Sequence, residues 1–313
     1  MLRAMSARTL VVLNPHSRSG ITGRHFAALE PRLRAALGPL EVACTRGPRD
    51  AERVAREGVR SGVERIVIAG GDGTTSEVVS GLLAPGLAGQ VELALLPLGT
   101  GGDLLRTLGI PDDLDAALAR IASGRAVPID AGRATYRDRA GRETCSYFLN
   151  VASLGMSGLV TELVNRVPKW FGGRVSFLLG TLHALARWRN VPVRLRLDGD
   201  VVYEGPLVLA TAANGRYFGG GMHVAPHARP DDGLLDVVVV PDLSKGRLLA
   251  ALHTLYRGTH LGVPGVLERR GRRLEAEPLE DAVVTELDGE PLGILPACYE
   301  VLPGAVRVLG ATP

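Results

Sequence analysis

The sequence has little of what marks a secreted, nucleic-acid-binding or membrane-spanning protein. Its three cysteines, Cys44, Cys145 and Cys298, match no zinc-ligand or CxxC spacing, which indicates a reducing compartment. The net charge is only +3, and no basic cluster interleaved with aromatic residues indicates nucleic acid. The N-terminus lacks the apolar stretch of a signal peptide. The longest apolar segment, around VSFLLGTLHALA, falls short of the roughly 20 residues that a membrane-spanning helix needs. We therefore expect a cytoplasmic protein without a spanning helix.

The first 130 residues alternate short apolar runs with amphipathic segments. The runs TLVVL, LEVAC, RIVIA and VELAL have the composition of buried strands, and each is followed by a helical pattern of apolar residues. Strands that alternate with helices predict βα units and a mainly parallel sheet. We therefore predict an N-terminal doubly wound α/β domain over residues 1–130.

The pattern changes after about Val127. Runs of β type separated by Gly, Pro, Asp and Asn then predominate, which is typical of an antiparallel sandwich, and helical insertions interrupt them near 157–189 and 244–257. We predict a C-terminal antiparallel β-sandwich over residues 131–304, with the final residues, 305–313, returning to the first domain.

Three turns of the first domain have the composition of a phosphate site. NPHSRSG (14–20), GGDGT (70–74) and PLGTGGD (97–103) each follow a predicted strand. In an open α/β sheet, ligands bind at the carboxyl ends of the strands, so these turns should open onto one edge. Glycines let the backbone approach an anion closely, and the following helix N-terminus offers unpaired N–H groups.

Each turn also has an ordinary explanation. Thr74 and Glu77 would form a capping box, T-x-x-E, and Asn14-Pro15 is a turn signal in many proteins. The coincidence of three such turns at equivalent positions of successive βα units favours a nucleotide site.

The aspartate of GGDGT needs a separate explanation, because a carboxylate among phosphate-binding amides would repel the ligand. A divalent cation, most simply Mg²⁺, resolves the conflict if it lies between the carboxylate and the phosphate. The sequence therefore predicts that Asp72 holds a metal, directly or through water. No G-K-[ST] follows the glycines, so the turn is not a Walker A loop, and it is not the G-x-G-x-x-G of a dinucleotide redox site.

These turns occur in order with Thr45, APHARPDDGLLDVVVV and LDGEPL over nearly the whole chain. The set closely resembles the diacylglycerol kinase catalytic-domain family, lipid kinases that include sphingosine kinases and bacterial diacylglycerol kinases. GGDGT alone is shared with NAD kinases, whereas its combination with DDGLLDV and DGE is more specific. The resemblance implies an NAD kinase/diacylglycerol kinase-like fold. It also implies transfer of the γ-phosphoryl group of ATP, with Mg²⁺, to a lipid hydroxyl in phospholipid metabolism.

The resemblance assigns roles at the nucleotide. Asp72 and Asp103 would organise Mg²⁺ and its waters. The residues implied to bind ATP are Asn14, Pro15, Thr45, Gly70, Gly71, Asp72, Gly73, Thr74, Glu77, Gly99, Thr100 and Asp103.

The resemblance places the catalytic carboxylates in the second domain. Glu290 of LDGEP would be the general base that accepts the proton of the lipid hydroxyl, with Asp288 beside it as a second catalytic carboxylate. The alternative is that Asp288-Gly289 is simply a hairpin turn.

The resemblance also implies a second, structural Mg²⁺ in the sandwich. It would bind the Asp232 carboxylate and the backbone carbonyls of Arg229 and Leu234, a donor set that suits a hard cation. An ordinary Asp-Asp-Gly turn is compatible with the same segment.

Two positions depart from the family pattern, since Ser76 and Gly102 stand where asparagine is usual. The acceptor therefore stays open among diacylglycerol, a sphingoid base, another glycerolipid and a polyprenol-like alcohol. Two other functions are alternatives: an NAD kinase-like enzyme with a soluble acceptor, and a nucleotide- or lipid-binding regulator with weak turnover.

Residues 166–189 mix basic and aromatic side chains around an apolar segment, which suits peripheral contact with an anionic lipid surface at the inner membrane face. A helix packed on the sandwich is the alternative. We expect a lipid substrate as partner and no nucleic acid, and the sequence is compatible with a homodimer. His223 and His227 lie in a Gly- and Pro-rich stretch without further ligands, which argues against zinc.

Overall fold

The computed structural model describes residues 7–18, 20–99, 101–166, 180, 183–184 and 187–313. Thr100, expected to contact ATP, and most of the segment 166–189, expected to contact lipid, lie outside the described residues. The chain divides into two compact units. The first comprises Met1–Ile129 and Gly304–Pro313, and the second comprises Asp130–Pro303.

The first unit contains a parallel sheet whose central strands are apolar. In spatial order the strands are β2 (Leu40–Cys44), β1 (Thr9–Leu13), β3 (Arg65–Ala69), β4 (Glu92–Leu95) and the end of β14 (Glu290–Leu309). All four pairings are parallel. Strand β1 is buried along its whole length because helices cover both faces of such a sheet. The predicted doubly wound α/β fold is confirmed.

Five helices connect the strands of this unit. Amphipathic spacing explains their packing: in α2 the side chains of Ala51, Val54 and Ala55 are buried. The side chain of Asp113 accepts the Ala116 N–H at 2.9 Å and caps α5. The helices are α1 (Ile21–Leu37), α2 (Asp50–Arg60), α3 (Asp72–Leu83), α4 (Asp103–Thr107) and α5 (Leu114–Ser123), with a 3₁₀ turn at Ala88–Gln90.

The second unit is built mainly of antiparallel strand pairs. The strand order is β11-β10-β9-β7-β13-β14, β8 joins β9 to β12, β12 pairs with β14, and β5 pairs with β6 and β14. The elements are β5 (Ala126–Arg137), β6 (Glu143–Phe148), β7 (Val151–Gly155), α6 (Met156–Arg166), β8 (Val191–Leu197), β9 (Asp200–Ala213), β10 (Leu235–Pro241), α7 (Lys245–Arg257), a 3₁₀ turn (His260–Gly262), β11 (Leu267–Gly271), β12 (Arg273–Pro278) and β13 (Val284–Leu287).

Alternating side chains of these strands form the core of the second unit. Phe148, Leu154, Leu195 and Tyr299 are among its fully buried side chains. The Tyr299 and Thr285 hydroxyls lie 2.6 Å apart, so the buried phenol has a hydrogen-bond partner. The predicted β-sandwich is confirmed. No helix among the described residues is long and apolar enough to cross a bilayer.

Candidate active site

Three loops of the first unit meet at the carboxyl edge of its parallel sheet. The Asn14 N–H donates to the Ala69 carbonyl oxygen at 3.0 Å, and Nδ2 of Asn14 donates to Oγ1 of Thr74 at 2.9 Å. The Ser17 hydroxyl donates to the Leu98 carbonyl oxygen at 2.9 Å. Hydrogen bonds therefore join the loop after β1 to the loops after β3 and β4, as the order of the turns along the chain predicts.

The loops after β3 and β4 approach each other too closely for side chains to lie between them. A Cβ atom on Gly99 would lie 2.8 Å from Cα of Gly71, and one on Gly101 would lie 2.5 Å from Oδ2 of Asp72. Glycine at position 99 therefore avoids a clash with backbone, whereas at position 101 the close atom is the end of the Asp72 side chain, which can rotate away. The result is a backbone-lined surface beside the Asp72 carboxylate, which is the kind of surface that phosphates bind.

Helix α3 begins at the edge of this surface. Its first residue is Asp72, and Gly71 before it supplies no side-chain cap. The capping-box explanation is wrong, because the helix begins before Thr74 and the Glu77 carboxylate accepts the Ala51 N–H of α2 at 3.2 Å. The first-turn N–H groups of an α-helix have no acceptor within the helix, and an anion is a favourable partner for such groups.

Asp103 begins the short helix α4. Its carboxylate is buried and lies 2.8 Å from the Arg106 guanidinium. Gly102 before it has φ 68, a left-handed conformation that glycine and asparagine adopt more readily than other residues. Glycine in place of asparagine therefore preserves the backbone here. The other departure, Ser76, is half-buried on α3.

The other residues predicted to bind nucleotide lie on the same loops. Thr45 follows β2, is buried, and donates its N–H to the last carbonyl of β1 at 2.8 Å. The Pro15 carbonyl accepts an N–H from the first turn of α1 at 3.3 Å. Gly70 lies against the Thr74 side chain, and Gly73 is exposed in the first turn of α3.

The donors at this edge suit one magnesium ion that binds together with phosphate. Among the described residues, no group of three or more His, Cys, Asp or Glu side chains is placed to hold a metal ion. A nucleotide-bound Mg²⁺ needs only one or two carboxylates, since phosphates and waters supply its other ligands. Asp72 fits this requirement beside the glycine-lined surface. Asp103 fits it less directly, because Arg106 already neutralises its carboxylate.

In the second unit, Asp288 and Gly289 form the turn between β13 and β14. Their φ angles of 48 and 87 match the positive values of a tight two-residue hairpin, so the hairpin explanation is confirmed. The Asp288 carboxylate accepts three consecutive backbone N–H groups, those of residues 149–151, each at 3.0 Å. Burial raises the pKa of Asp288 to about 6 although these donors oppose the shift. Glu290, directly after the turn, is exposed.

The same unit contains a second hairpin of the same design. Asp198 and Gly199, between β8 and β9, also have positive φ angles, 51 and 97. The Asp198 carboxylate accepts the N–H groups of Arg272 and Arg273 at 2.9–3.1 Å. The sequence is LDGD at the Asp198 hairpin and LDGE at the Asp288 hairpin, so this sandwich twice uses an aspartate that binds backbone amides.

A buried carboxylate beside the LDGE hairpin was not predicted. Glu286 is 3% exposed, and the Ser153 hydroxyl donates to its Oε1 at 2.8 Å. The Ser157 hydroxyl lies 2.7 Å from that of Ser153. An acidic residue in the middle of an apolar strand was the available signal, and it does not by itself indicate burial. Glu286 gives the hairpin strand a second polar attachment to β7.

The segment expected to hold a structural Mg²⁺ is paired with an arginine. Oδ1 of Asp232 accepts the Leu234 N–H at 3.1 Å, and its other oxygen is ion-paired with the Arg270 guanidinium. Nε of Arg270 also lies 3.3 Å from the fully buried Asp236 carboxylate. The carbonyl of Arg229 shows no bond to these groups among the described contacts. The Asp232 carboxylate thus has a guanidinium partner in this structure, and the second Mg²⁺ stays a prediction.

Profiles of two known domains match most of the chain. Residues 8–134 match the diacylglycerol kinase catalytic domain, and residues 150–310 match the YegS C-terminal NAD kinase beta sandwich-like domain. A diacylglycerol kinase of Mycobacterium tuberculosis is 33% identical over 261 residues, which are 83% of this chain and 81% of that protein. A Pseudomonas aeruginosa protein named "Probable lipid kinase YegS-like" is 37% identical over 260 residues, 83% of this chain and 80% of that protein.

Solved structures agree with these matches. A diacylglycerol kinase structure from Bacillus anthracis superposes with a TM-score of 0.74 at 25% identity and covers 99% of both chains. Yeast NADH kinase superposes with a TM-score of 0.55 at 11% identity over 97% of this chain and 83% of that one, a likeness of fold alone.

Proposed function

This chain belongs to the diacylglycerol kinase catalytic-domain family of lipid kinases, and we propose that it transfers the γ-phosphoryl group of ATP, with Mg²⁺, to the hydroxyl of diacylglycerol or a related lipid. The convergence of three loops on a glycine-lined surface beside Asp72 supports the nucleotide part of this proposal. The names of the relatives support diacylglycerol as the acceptor.

The proposed nucleotide site uses backbone more than side chains. The phosphates of ATP accept hydrogen bonds from the first-turn N–H groups of α3, where the helix dipole favours negative charge. Gly71, Gly99 and Gly101 keep side chains out of the space beside those groups. Asp72 would hold Mg²⁺, which when bound would supply positive charge beside the phosphates. Asn14 holds Thr74 and with it the start of α3.

The proposed acceptor chemistry depends on Glu290. The lipid hydroxyl oxygen attacks the γ-phosphorus while its proton passes to the Glu290 carboxylate, the bond from the γ-phosphorus to the bridging oxygen breaks, and ADP leaves. The products are a lipid phosphate monoester and ADP. Glu290 is exposed and can meet a substrate, whereas Asp288 binds three backbone amides. We therefore assign Asp288 to positioning the hairpin rather than to proton transfer.

A screen with labelled ATP and Mg²⁺ tests the function. The acceptors are diacylglycerol, a sphingoid base, a polyprenol-like alcohol and NAD, and phosphorylated products are identified by mass. We expect a phosphorylated lipid, with diacylglycerol the best acceptor. Phosphorylated NAD would instead establish an NAD kinase-like enzyme. Nucleotide binding without any product would establish a regulator.

The base assignment is tested by Glu290→Gln. The amide keeps the size of the side chain but cannot accept a proton, so kcat should fall by about a hundredfold or more while ATP affinity stays unchanged. Glu280→Gln is the matched control, since Glu280 is exposed in the loop between β12 and β13 and should keep full activity. Full turnover by Glu290→Gln would show that another group accepts the proton.

A further inference from the structure

Helix α7 carries large apolar side chains that are exposed in the described structure. None of its residues is buried, and Leu249 and Tyr256 are 54% and 41% exposed. Leu249 is the most exposed of the large apolar residues that the structure describes. Leu249, Leu252 and Tyr256 recur at helical spacing, so they form a stripe along one side of α7.

The charged residues of α7 itself have one sign. Lys245 and Arg247 lie in the first turn of α7, and Arg257 is its last residue. The sequence contains no acidic residue between Asp242 and Glu268. A helix with an apolar stripe and only basic charged residues is the type that lies in the interface of an anionic bilayer.

A second basic stretch adjoins α7. Trp188 and Leu248 pack in the same apolar cluster, and the neighbouring Arg187 and Arg189 are exposed. The sequence over 163–197 also contains no acidic residue. Basic residues therefore lie beside the helix as well as on it, with Asp242 as the acidic residue among them, and the excess of positive charge favours anionic lipid.

We propose that α7 lies flat on an anionic lipid bilayer, with Leu249 and Tyr256 among the headgroups and the flanking basic residues against lipid phosphates. The proposal deepens the proposed function, because the acceptor lipid resides in that bilayer. A second copy of the chain is a poorer occupant. Two copies joined through this surface would bring like charges at both ends of α7 together, which costs free energy.

The test is sedimentation of the full chain with vesicles in the absence of ATP, so its outcome does not depend on kinase activity. Vesicles of phosphatidylcholine alone are compared with vesicles that contain about equal parts of phosphatidylglycerol. We expect binding to the anionic vesicles only. Leu249→Glu should weaken that binding by about tenfold or more, since it removes one leucine side chain from the interface.

Val201→Glu is the matched control. Val201 is 49% exposed on β9, and the substitution changes the net charge by the same amount. Val201→Glu should bind vesicles as the wild type does. Arg257→Glu, like Leu249→Glu, should weaken vesicle binding. With a short-chain diacylglycerol dispersed in water, all variants should turn over equally, which separates docking from catalysis.

Three results would overturn the proposal. The first is wild-type binding that does not distinguish the two kinds of vesicle. The second is equal binding by Leu249→Glu and the wild type. The third is a dimer that Leu249→Glu converts to a monomer, seen by size-exclusion chromatography with vesicle binding unchanged, which would assign α7 to a second copy. Absence of kinase activity on every acceptor, with vesicle binding as expected, would refute the proposed function and leave this inference standing.

Discussion

Replacing Asp288 by asparagine tests whether the contacts of this side chain contribute to catalysis. In the wild type, Oδ1 of Asp288 accepts two backbone N–H groups and Oδ2 accepts one. Asparagine can keep the two bonds to Oδ1. Its amide NH₂ then faces the Leu149 N–H, so one hydrogen bond is replaced by two opposed donors.

The expected effect on stability is small because two terms oppose each other. The pKa of Asp288 is raised from 3.8 to about 6 by burial, about two units, so the ionised carboxylate costs about 3 kcal/mol at pH 7 after its hydrogen bonds are included. Asparagine removes that cost. The opposed donors cost about 1–3 kcal/mol. The net change in unfolding free energy is therefore within about 2 kcal/mol of zero.

The expected effect on catalysis is larger than the effect on stability. Glu290 is two residues after Asp288, and loosening the hairpin displaces the proposed base. Since a misplacement of about 1 Å costs about a hundredfold in rate, we expect kcat to fall by about ten- to a hundredfold. The affinity for ATP should not change, because the nucleotide loops belong to the other unit.

The assay is steady-state kinetics with diacylglycerol, together with thermal unfolding. The Asp198→Asn variant is the control, because it alters the same kind of hairpin at LDGD. It should leave kcat unchanged. An Asp288→Asn enzyme with wild-type kcat, or an equal loss of kcat in both variants, would refute the positioning role.

Two further predictions concern packing and pH. Gly99→Ala should weaken ATP binding by about tenfold in calorimetry, because its Cβ would lie 2.8 Å from Cα of Gly71, whereas Gly89→Ala, with open space around position 89, should bind ATP normally. Burial lowers the pKa of His260 below its usual value of 6.5. As the pH drops below about 6.5, the unfolded chain therefore binds a proton that the folded chain does not, and the melting temperature should fall. His260→Gln should reduce the change of melting temperature with pH, whereas the control His25→Gln, at an exposed position, should leave it as in the wild type. If His260→Gln shows the wild-type pH dependence, His260 is not its source.

The first unit was largely predictable because its information is local. Each βα unit can be recognised in the sequence from an apolar strand, a glycine-rich turn and an amphipathic helix. Parallel strands then bring their carboxyl ends to one edge of the sheet. The sequence did not reveal how closely the loops approach, since the contact of Gly71 with Gly99 depends on the tertiary structure. It also did not reveal where α3 begins, because Asn14 takes the Thr74 hydroxyl that a capping box would have used.

The second unit was predictable as a sandwich but not in its polar contacts. Asp288 binds an amide 139 positions earlier in the chain, and Asp232 pairs with Arg270, 38 positions later. Such pairs depend on strand register, which hydrophobic alternation alone does not determine when the connections are long. The Mg²⁺ expected at Asp232 was inferred from residue types without knowledge of that arginine.

The two LDG hairpins show which part of the DGE motif carries chemical information. Both hairpins use Asp-Gly for the left-handed turn, and in both the aspartate accepts hydrogen bonds from backbone amides. The Asp and Gly of the DGE motif therefore stabilise the fold. The LDGE hairpin differs from the LDGD hairpin in its surroundings. Glu286, the residue before the leucine of LDGE, is buried and hydrogen-bonded to Ser153. Arg196, the residue before the leucine of LDGD, is half-buried. A strand attached at two polar points holds the exposed carboxylate that follows it more firmly than one attached at a single point. A general base needs such fixed placement, which is consistent with the role proposed for Glu290.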